Sequence, residues 1–113
     1  LKYLKSKNKS LVVLTNWFRY TQVTRLKNAG ILKYFDEIYT GDTVLKPNKE
    51  SYINACGQYS PSECLMIGDT IDQDVLGPNK YGIDSIFYNP EGKEYDKQKI
   101  TSIDSFNKIQ DLF

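Results

Sequence analysis

Histidine is absent from this sequence. That absence excludes Ser-His-Asp and Cys-His nucleophilic mechanisms and histidine-ligated zinc. Carboxylates, lysines, hydroxyls and backbone amides are the groups left for chemistry. Cysteine is scarce. Cys56 and Cys64 are too few for a metal cluster or a disulfide framework, and their apolar neighbours predict reduced core side chains. No apolar run reaches the length of a membrane span. Lysines alternate with apolar residues at the N-terminus, so no signal peptide is visible, and the expected location is the cytoplasm. Asn8-Lys9-Ser10 fits a glycosylation sequon, a chance match in a chain with no other secretory mark. An excess of either charge is also missing. Fifteen basic and fourteen acidic residues leave a net charge of +1, which gives no electrostatic case for nucleic acid. The cluster of Lys2, Lys5, Lys7 and Lys9 reads as a solvated helix face. No nucleic-acid or membrane partner is expected.

What is present is an alternation of strand and helix patterns. The length of 113 residues suits one domain with one core. Leu1 to about Lys7 reads as the tail of a helix. Leu11-Val12-Val13-Leu14 is a continuous apolar run, the pattern of a strand buried on both faces. A helix is predicted from Phe18 to Ala29, with Phe18, Val23 and Leu26 on one face and Gly30 as its stop. Glu37 to Thr40 is a second strand, ended by Gly41-Asp42. Pro47 suits the first turn of a helix that continues to Cys56, with Tyr52, Ile53 and Cys56 at helical spacing. A third strand runs from Cys64 to Ile67, and a helix then runs to about Tyr81. Asp84 to Tyr88 is a fourth strand, and Ile100 to Ile103 a short edge strand. Asp104-Ser105 caps a last helix carrying Phe106, Ile109, Leu112 and Phe113 on its apolar face. Such alternation implies an α/β fold with a mostly parallel sheet between helices, a Rossmann-like three-layer architecture.

The most informative stretch is Gly68-Asp69-Thr70-Ile71-Asp72-Gln73-Asp74. It places carboxylates at the C-terminal end of a predicted strand, the edge where open α/β sheets bind ligands. Three carboxylates within six residues repel one another unless a cation or a lysine compensates. The segment reads as a hard-metal site, with Mg²⁺ as the first candidate. Two other strand ends offer polar groups: Thr15 and Asn16 after the first strand, and Lys46 after the second. Hydroxyl and backbone N–H groups suit phosphate oxygens, lysine supplies a point charge, and carboxylates hold Mg²⁺. These are parts of a phosphoryl-transfer site. Taken singly, each has a plainer role as strand-end hydroxyl, loop lysine or helix-dipole carboxylate.

The order of these segments resembles the haloacid dehalogenase superfamily. Leu11 to Asn16 is similar to its second motif, Lys46-Pro47-Asn48 with Tyr52 to its third, and Ile67 to Asp74 to its fourth. Arg25 to Gly30, Tyr34 to Ile38 and Gly82-Ile83 also resemble family phrasing. The resemblance runs from Leu11 to about Asn89. Asp69 implies the Mg²⁺-dependent phosphatase branch, similar to pyrimidine 5′-nucleotidase-like and phosphoglycolate-phosphatase-like members, and disfavours a metal-free dehalogenase. It implies that Thr15 and the Asn16 N–H bind the phosphoryl group and that Lys46 neutralises it. It also implies that Asp69 binds Mg²⁺, and that Asp74 completes the metal site by orienting Lys46 or a metal-bound water. Asp72 is expected to be solvent-exposed or one step removed from the metal.

The family's first motif, a strand followed by Asp-x-Asp, has no counterpart here, nor does its helical cap. The resemblance therefore implies the C-terminal part of a single core domain, inactive alone because the nucleophile is lacking. In the family the first-motif strand lies between the strands matched by Leu11–Leu14 and Cys64–Ile67. The expected partners are a small phosphorylated metabolite and either an N-terminal segment of the same protein or a second copy. A non-catalytic module that keeps the phosphate and metal groups is the alternative.

Overall fold

The first apolar run forms β1, Val12–Leu14, and the second predicted strand forms β2, Glu37–Tyr39. The two pair in parallel, Val12 opposite Glu37 and Leu14 opposite Tyr39. The computed structural model describes residues 1–41 and 44–111. Asp42 of the predicted Gly41-Asp42 strand end lies outside the described residues, as do Leu112 and Phe113 of the last helix's predicted apolar face. Leu1–Ala55 and Cys56–Phe113 form two compact units.

In the first unit, α1 (Lys2–Ser6) precedes β1, α2 (Arg19–Asn28) joins β1 to β2, and α3 (Lys49–Cys56) follows, all but its last residue within this unit. Gly30 ends the α2 segment at φ 75°, a left-handed conformation that favours glycine. Leu4, Leu26, Ser51 and Tyr52 are buried. Two faces differ from expectation. Phe18 is 70% exposed just before α2, and Ile53 is 39% exposed on α3. Helical spacing fixes which residues neighbour each other on the cylinder, but not which part of the stripe faces the core. β1 was expected to be buried on both faces, yet Val12, Val13 and Leu14 are all half-buried. Among the described residues β1 pairs only with β2, so it lacks the flanking cover that its apolar run anticipates.

In the second unit, β3 (Leu65–Gly68), β4 (Asp84–Tyr88) and β5 (Ser102–Ile103) form a parallel sheet in the order β3-β4-β5. Central β4 buries Ile86 and Phe87, whereas Leu65 on outer β3 is exposed. The phenyl ring of Phe87 meets Tyr95 edge-on at 5.4 Å between ring centres. The helix predicted after the acidic turn is a π-helical turn, Ile71–Leu76, running into α4, Gly77–Lys80. The last helix is a 3₁₀ helix, Phe106–Asp111. The Ser105 hydroxyl accepts the Asn107 N–H there. Ile109 is buried, but Phe106 is exposed and stacks on Tyr88 at 4.3 Å. Cys56 is buried, and burial, followed by a hydrogen bond with the Cys64 thiol, pushes its pKa up to about 12. It is therefore an un-ionised thiol. Cys64 is half-buried rather than a core residue.

Asp36 fixes where the β1–β2 ladder begins. The Leu11 N–H donates to Asp36 Oδ2 at 2.7 Å, the Asp36 N–H donates to the Leu11 carbonyl at 2.7 Å, and Lys5 Nζ lies 3.0 Å from Oδ2. The Leu11 amide and then Lys5 lower the Asp36 pKa. A carboxyl lowered in the folded state stabilises it above the ordinary aspartate range, and that contribution is lost as pH falls through the lowered value. Asp36→Asn should therefore melt below wild type at neutral pH, and the gap should close in acid. Melting curves across pH test this; a gap unchanged in acid contradicts it.

Candidate active site

The first group of polar residues hangs from the end of β1. Thr15 N–H donates to the Tyr39 carbonyl at 3.0 Å, extending the β1–β2 ladder past Leu14. The Thr15 hydroxyl oxygen accepts the Trp17 N–H at 3.1 Å. That contact uses an oxygen lone pair and not the hydroxyl proton, the group a phosphoryl oxygen would accept. The end of β2 closes against the same loop. Gly41 N–H donates to the Trp17 carbonyl at 3.1 Å. A Cβ at Gly41 would overlap the Asn16 carbonyl oxygen, so glycine is required there for close backbone approach.

Lys46 is half-buried in a turn ahead of α3. The Lys46–Pro47 peptide is cis, and Asn48 N–H donates to the Leu45 carbonyl at 3.0 Å, a type VI turn. Pro47 thus belongs to this turn and not to the first turn of the helix, which begins at Lys49. Asn16 reaches this turn through its side chain. The Lys46 N–H donates to Asn16 Oδ1 at 2.7 Å, and Asn16 Nδ2 donates to the Lys46 carbonyl at 3.2 Å. Any phosphate contact by Asn16 therefore rests on its backbone N–H. Trp17, 51% exposed beside Thr15, carries the Arg25 guanidinium 4.1 Å above its ring, a cation–π pair. Sequence reasoning missed both the side-chain bracket and the Trp17 stack. The bracket joins residues thirty apart, and the one available signal was an amide at a strand end.

The second group hangs from the end of β3. Asp69 is exposed and accepts the Thr70 hydroxyl at 3.3 Å on Oδ1. Asp74, from the first turn of the π-helical segment, is only 4% exposed. Its Oδ2 accepts the Thr70 N–H at 3.1 Å, and its own N–H donates to the Thr70 carbonyl at 2.7 Å. The Asp74 carboxyl occupies the space where a Gly68 side chain would stand. Asp72 is exposed. Thr15, Asn16 and Lys46 thus belong to the first unit, and Asp69 and Asp74 to the second.

Among the described residues no group of three or more His, Cys, Asp or Glu is placed to hold a metal. Mg²⁺ is commonly held by one or two carboxylates, with waters and substrate phosphate completing its shell. An exposed Asp69 and an Asp74 cradled against Gly68 fit such a shared, oxygen-only donor set. No described helix is long and apolar enough to cross a membrane.

Residues 1–82 match the haloacid dehalogenase-like hydrolase family. The chain is 30% identical over 107 residues to the pyrimidine 5′-nucleotidase PynA of Streptococcus pneumoniae, covering 90% of this chain and 45% of that protein. Among solved structures, a HAD phosphatase from Thermococcus onnurineus superposes with a TM-score of 0.91 at 24% identity, over 98% of this chain and 53% of the other. The HAD hydrolase YfnB of Bacillus subtilis, in a magnesium-bound crystal, superposes with a TM-score of 0.81 at 26% identity, over 91% and 48% of the two chains. The α/β, Rossmann-like fold expected from the sequence is the fold of these structures. The chain spans about half the length of the relatives it matches.

The cradle at Gly68 makes a direct prediction. Gly68→Ala should destabilise the protein by about 1–3 kcal/mol through overpacking. It should cost less in an Asp74→Ala background, with a coupling of about 0.5–3 kcal/mol. Urea denaturation of the four proteins measures this, and strictly additive losses contradict it.

Proposed function

Because this chain belongs to the haloacid dehalogenase-like hydrolase family, we propose that it supplies the phosphate- and metal-binding part of a Mg²⁺-dependent phosphoric monoester hydrolase. The observation that carries the reading is the acidic turn after β3. There Asp69 is exposed and Asp74 is buried in the space a Gly68 side chain would need. A buried carboxylate is costly unless a cation or hydrogen bonds compensate. Asp74 Oδ2 accepts the Thr70 N–H at 3.1 Å, which fixes the carboxylate at the end of β3.

Under this reading Thr15 donates its hydroxyl proton to the transferring phosphoryl group, and the Asn16 N–H donates beside it. Lys46 neutralises charge on the phosphoryl oxygens. Asp69 and Asp74 hold Mg²⁺, which when bound offsets phosphate charge. The nucleophile is an aspartate of the whole protein outside these residues, and the reaction runs through an aspartyl-phosphate. In the proposed whole protein these residues are the C-terminal part of one core domain. An N-terminal segment of the same protein, or a second copy, completes the sheet beside β1 and β3. The half-buried β1 and the exposed Leu65 of β3 support that part of the reading. The substrate class is a small phosphorylated metabolite, a nucleotide or sugar phosphate, and the nucleotidase among the relatives supports the former. The proposed location is the cytoplasm, with no nucleic-acid or membrane partner.

A phosphatase assay on the full-length protein with Mg²⁺ tests the proposal. Lys46→Ala and Asp69→Asn should each lower turnover by about 10²–10³-fold. Unchanged activity in both variants would sink it. Halide release without Mg²⁺ would favour a dehalogenase, and phosphate binding without turnover a non-catalytic module.

A further inference from the structure

We propose that Asn16 is a positioning residue whose side chain fixes Lys46 relative to Thr15, a role that rests on the phosphatase reading above. The Asn16 amide takes both polar groups of one peptide residue. Its Oδ1 accepts the Lys46 N–H at 2.7 Å, and its Nδ2 donates to the Lys46 carbonyl at 3.2 Å. An N–H and a C=O held from one point set the backbone on both sides of the Lys46 Cα, and so the direction in which the lysine side chain leaves it. Asparagine alone among short side chains presents one acceptor and one donor in this way. Aspartate would set a lone pair against the Lys46 carbonyl, and alanine would reach neither group.

The other end of the brace is fixed as well. Thr15 N–H is tied to the Tyr39 carbonyl, and Gly41 N–H to the Trp17 carbonyl. The Asn16 carbonyl fills the space a side chain at Gly41 would need. The residue carrying the Thr15 hydroxyl and the residue bracing Lys46 are therefore neighbours on a segment pinned by both β1 and β2. Lys46 itself sits in the turn closed by the Asn48 N–H on the Leu45 carbonyl. Losing the Asn16 amide removes two of the bonds that set the Lys46 backbone relative to the Thr15 segment. A displacement of about 1 Å at such a group can cost about 10²-fold in rate.

The test is a double-mutant cycle on the full-length protein with Mg²⁺, comparing wild type, Asn16→Ala, Lys46→Ala and the double variant. The readouts are kcat and KM for p-nitrophenyl phosphate, the dissociation constant of inorganic phosphate, and the melting temperature. Asn16→Ala should lower kcat/KM by about 10²-fold in the wild-type background. In the Lys46→Ala background it should change kcat/KM by no more than about two-fold. Phosphate affinity should show the same non-additivity, so the cycle reads out even where lysine-free turnover is too slow to measure. Asn16→Gln, which moves the amide by one methylene, gives the same test should the alanine variant not fold. Full activity in the Asn16 variants, or equal losses in both backgrounds, overturns the proposal. A wild-type protein that hydrolyses no phosphate ester overturns the functional reading, and this proposal with it.

Discussion

A parallel strand pair brings two chain segments to the same edge, pointing the same way, and leaves both to leave the ladder side by side. In the first unit this constraint sets Thr15 beside the end of β2 and packs the Asn16 carbonyl against Gly41. In the second unit it delivers Asp69 past the end of β3, where the chain turns at once into the π-helical segment. The polar groups at these ends are then fixed by local bonds rather than by further ladder. Thr15 is held by Trp17, Lys46 by Asn16, and Asp74 by Thr70. Each bond sacrifices freedom in a polar side chain or turn and gains a defined direction for a group that can face phosphate or metal.

Electrostatics gives that arrangement its chemical sense. Asp69, Asp72 and Asp74 sit close in sequence, yet they are not equivalent. Asp72 and Asp69 are exposed, whereas Asp74 is buried. Burying a carboxylate next to other carboxylates is unfavourable unless something positive joins them. Under the proposed function, Asp69 and Asp74 would hold a divalent cation. Thr15 and Lys46, in the first unit, are proposed to offer a hydrogen-bond donor and a positive charge to phosphate. Membership of the hydrolase family is thus consistent with what these residue types can do in these places.

Much of the fold could be read directly from the sequence, because it depends on local patterns. The run from Asp84 to Tyr88 is β4 residue for residue, and the glycine stop at Gly30 adopts a positive φ. What escaped depends on distant partners. Ile53 and Phe18 have the right helical spacing but face outward. The spacing of Ile71, Val75 and Leu76 after Asp69 suggests a helix but cannot distinguish a π-helical turn from an α-helix. Pro47 read as a helix start because proline suits that position, whereas Asn48 closes a turn onto Leu45 instead. At the site, Thr15, Lys46, Asp69 and Asp74 stood out as residue types at strand ends. The brace between Asn16 and Lys46 did not, since nothing local marks which backbone a side-chain amide will reach.

Phosphate and Mg²⁺ are proposed to bind together in the whole protein. If they do, the two ligands must help each other bind, and by the same factor in both directions. The most direct measurement is calorimetric titration of inorganic phosphate into the full-length protein, with and without Mg²⁺ at fixed ionic strength. The account predicts that Mg²⁺ tightens phosphate binding and that Asp69→Asn abolishes the gain. Phosphate affinity indifferent to Mg²⁺ would contradict it.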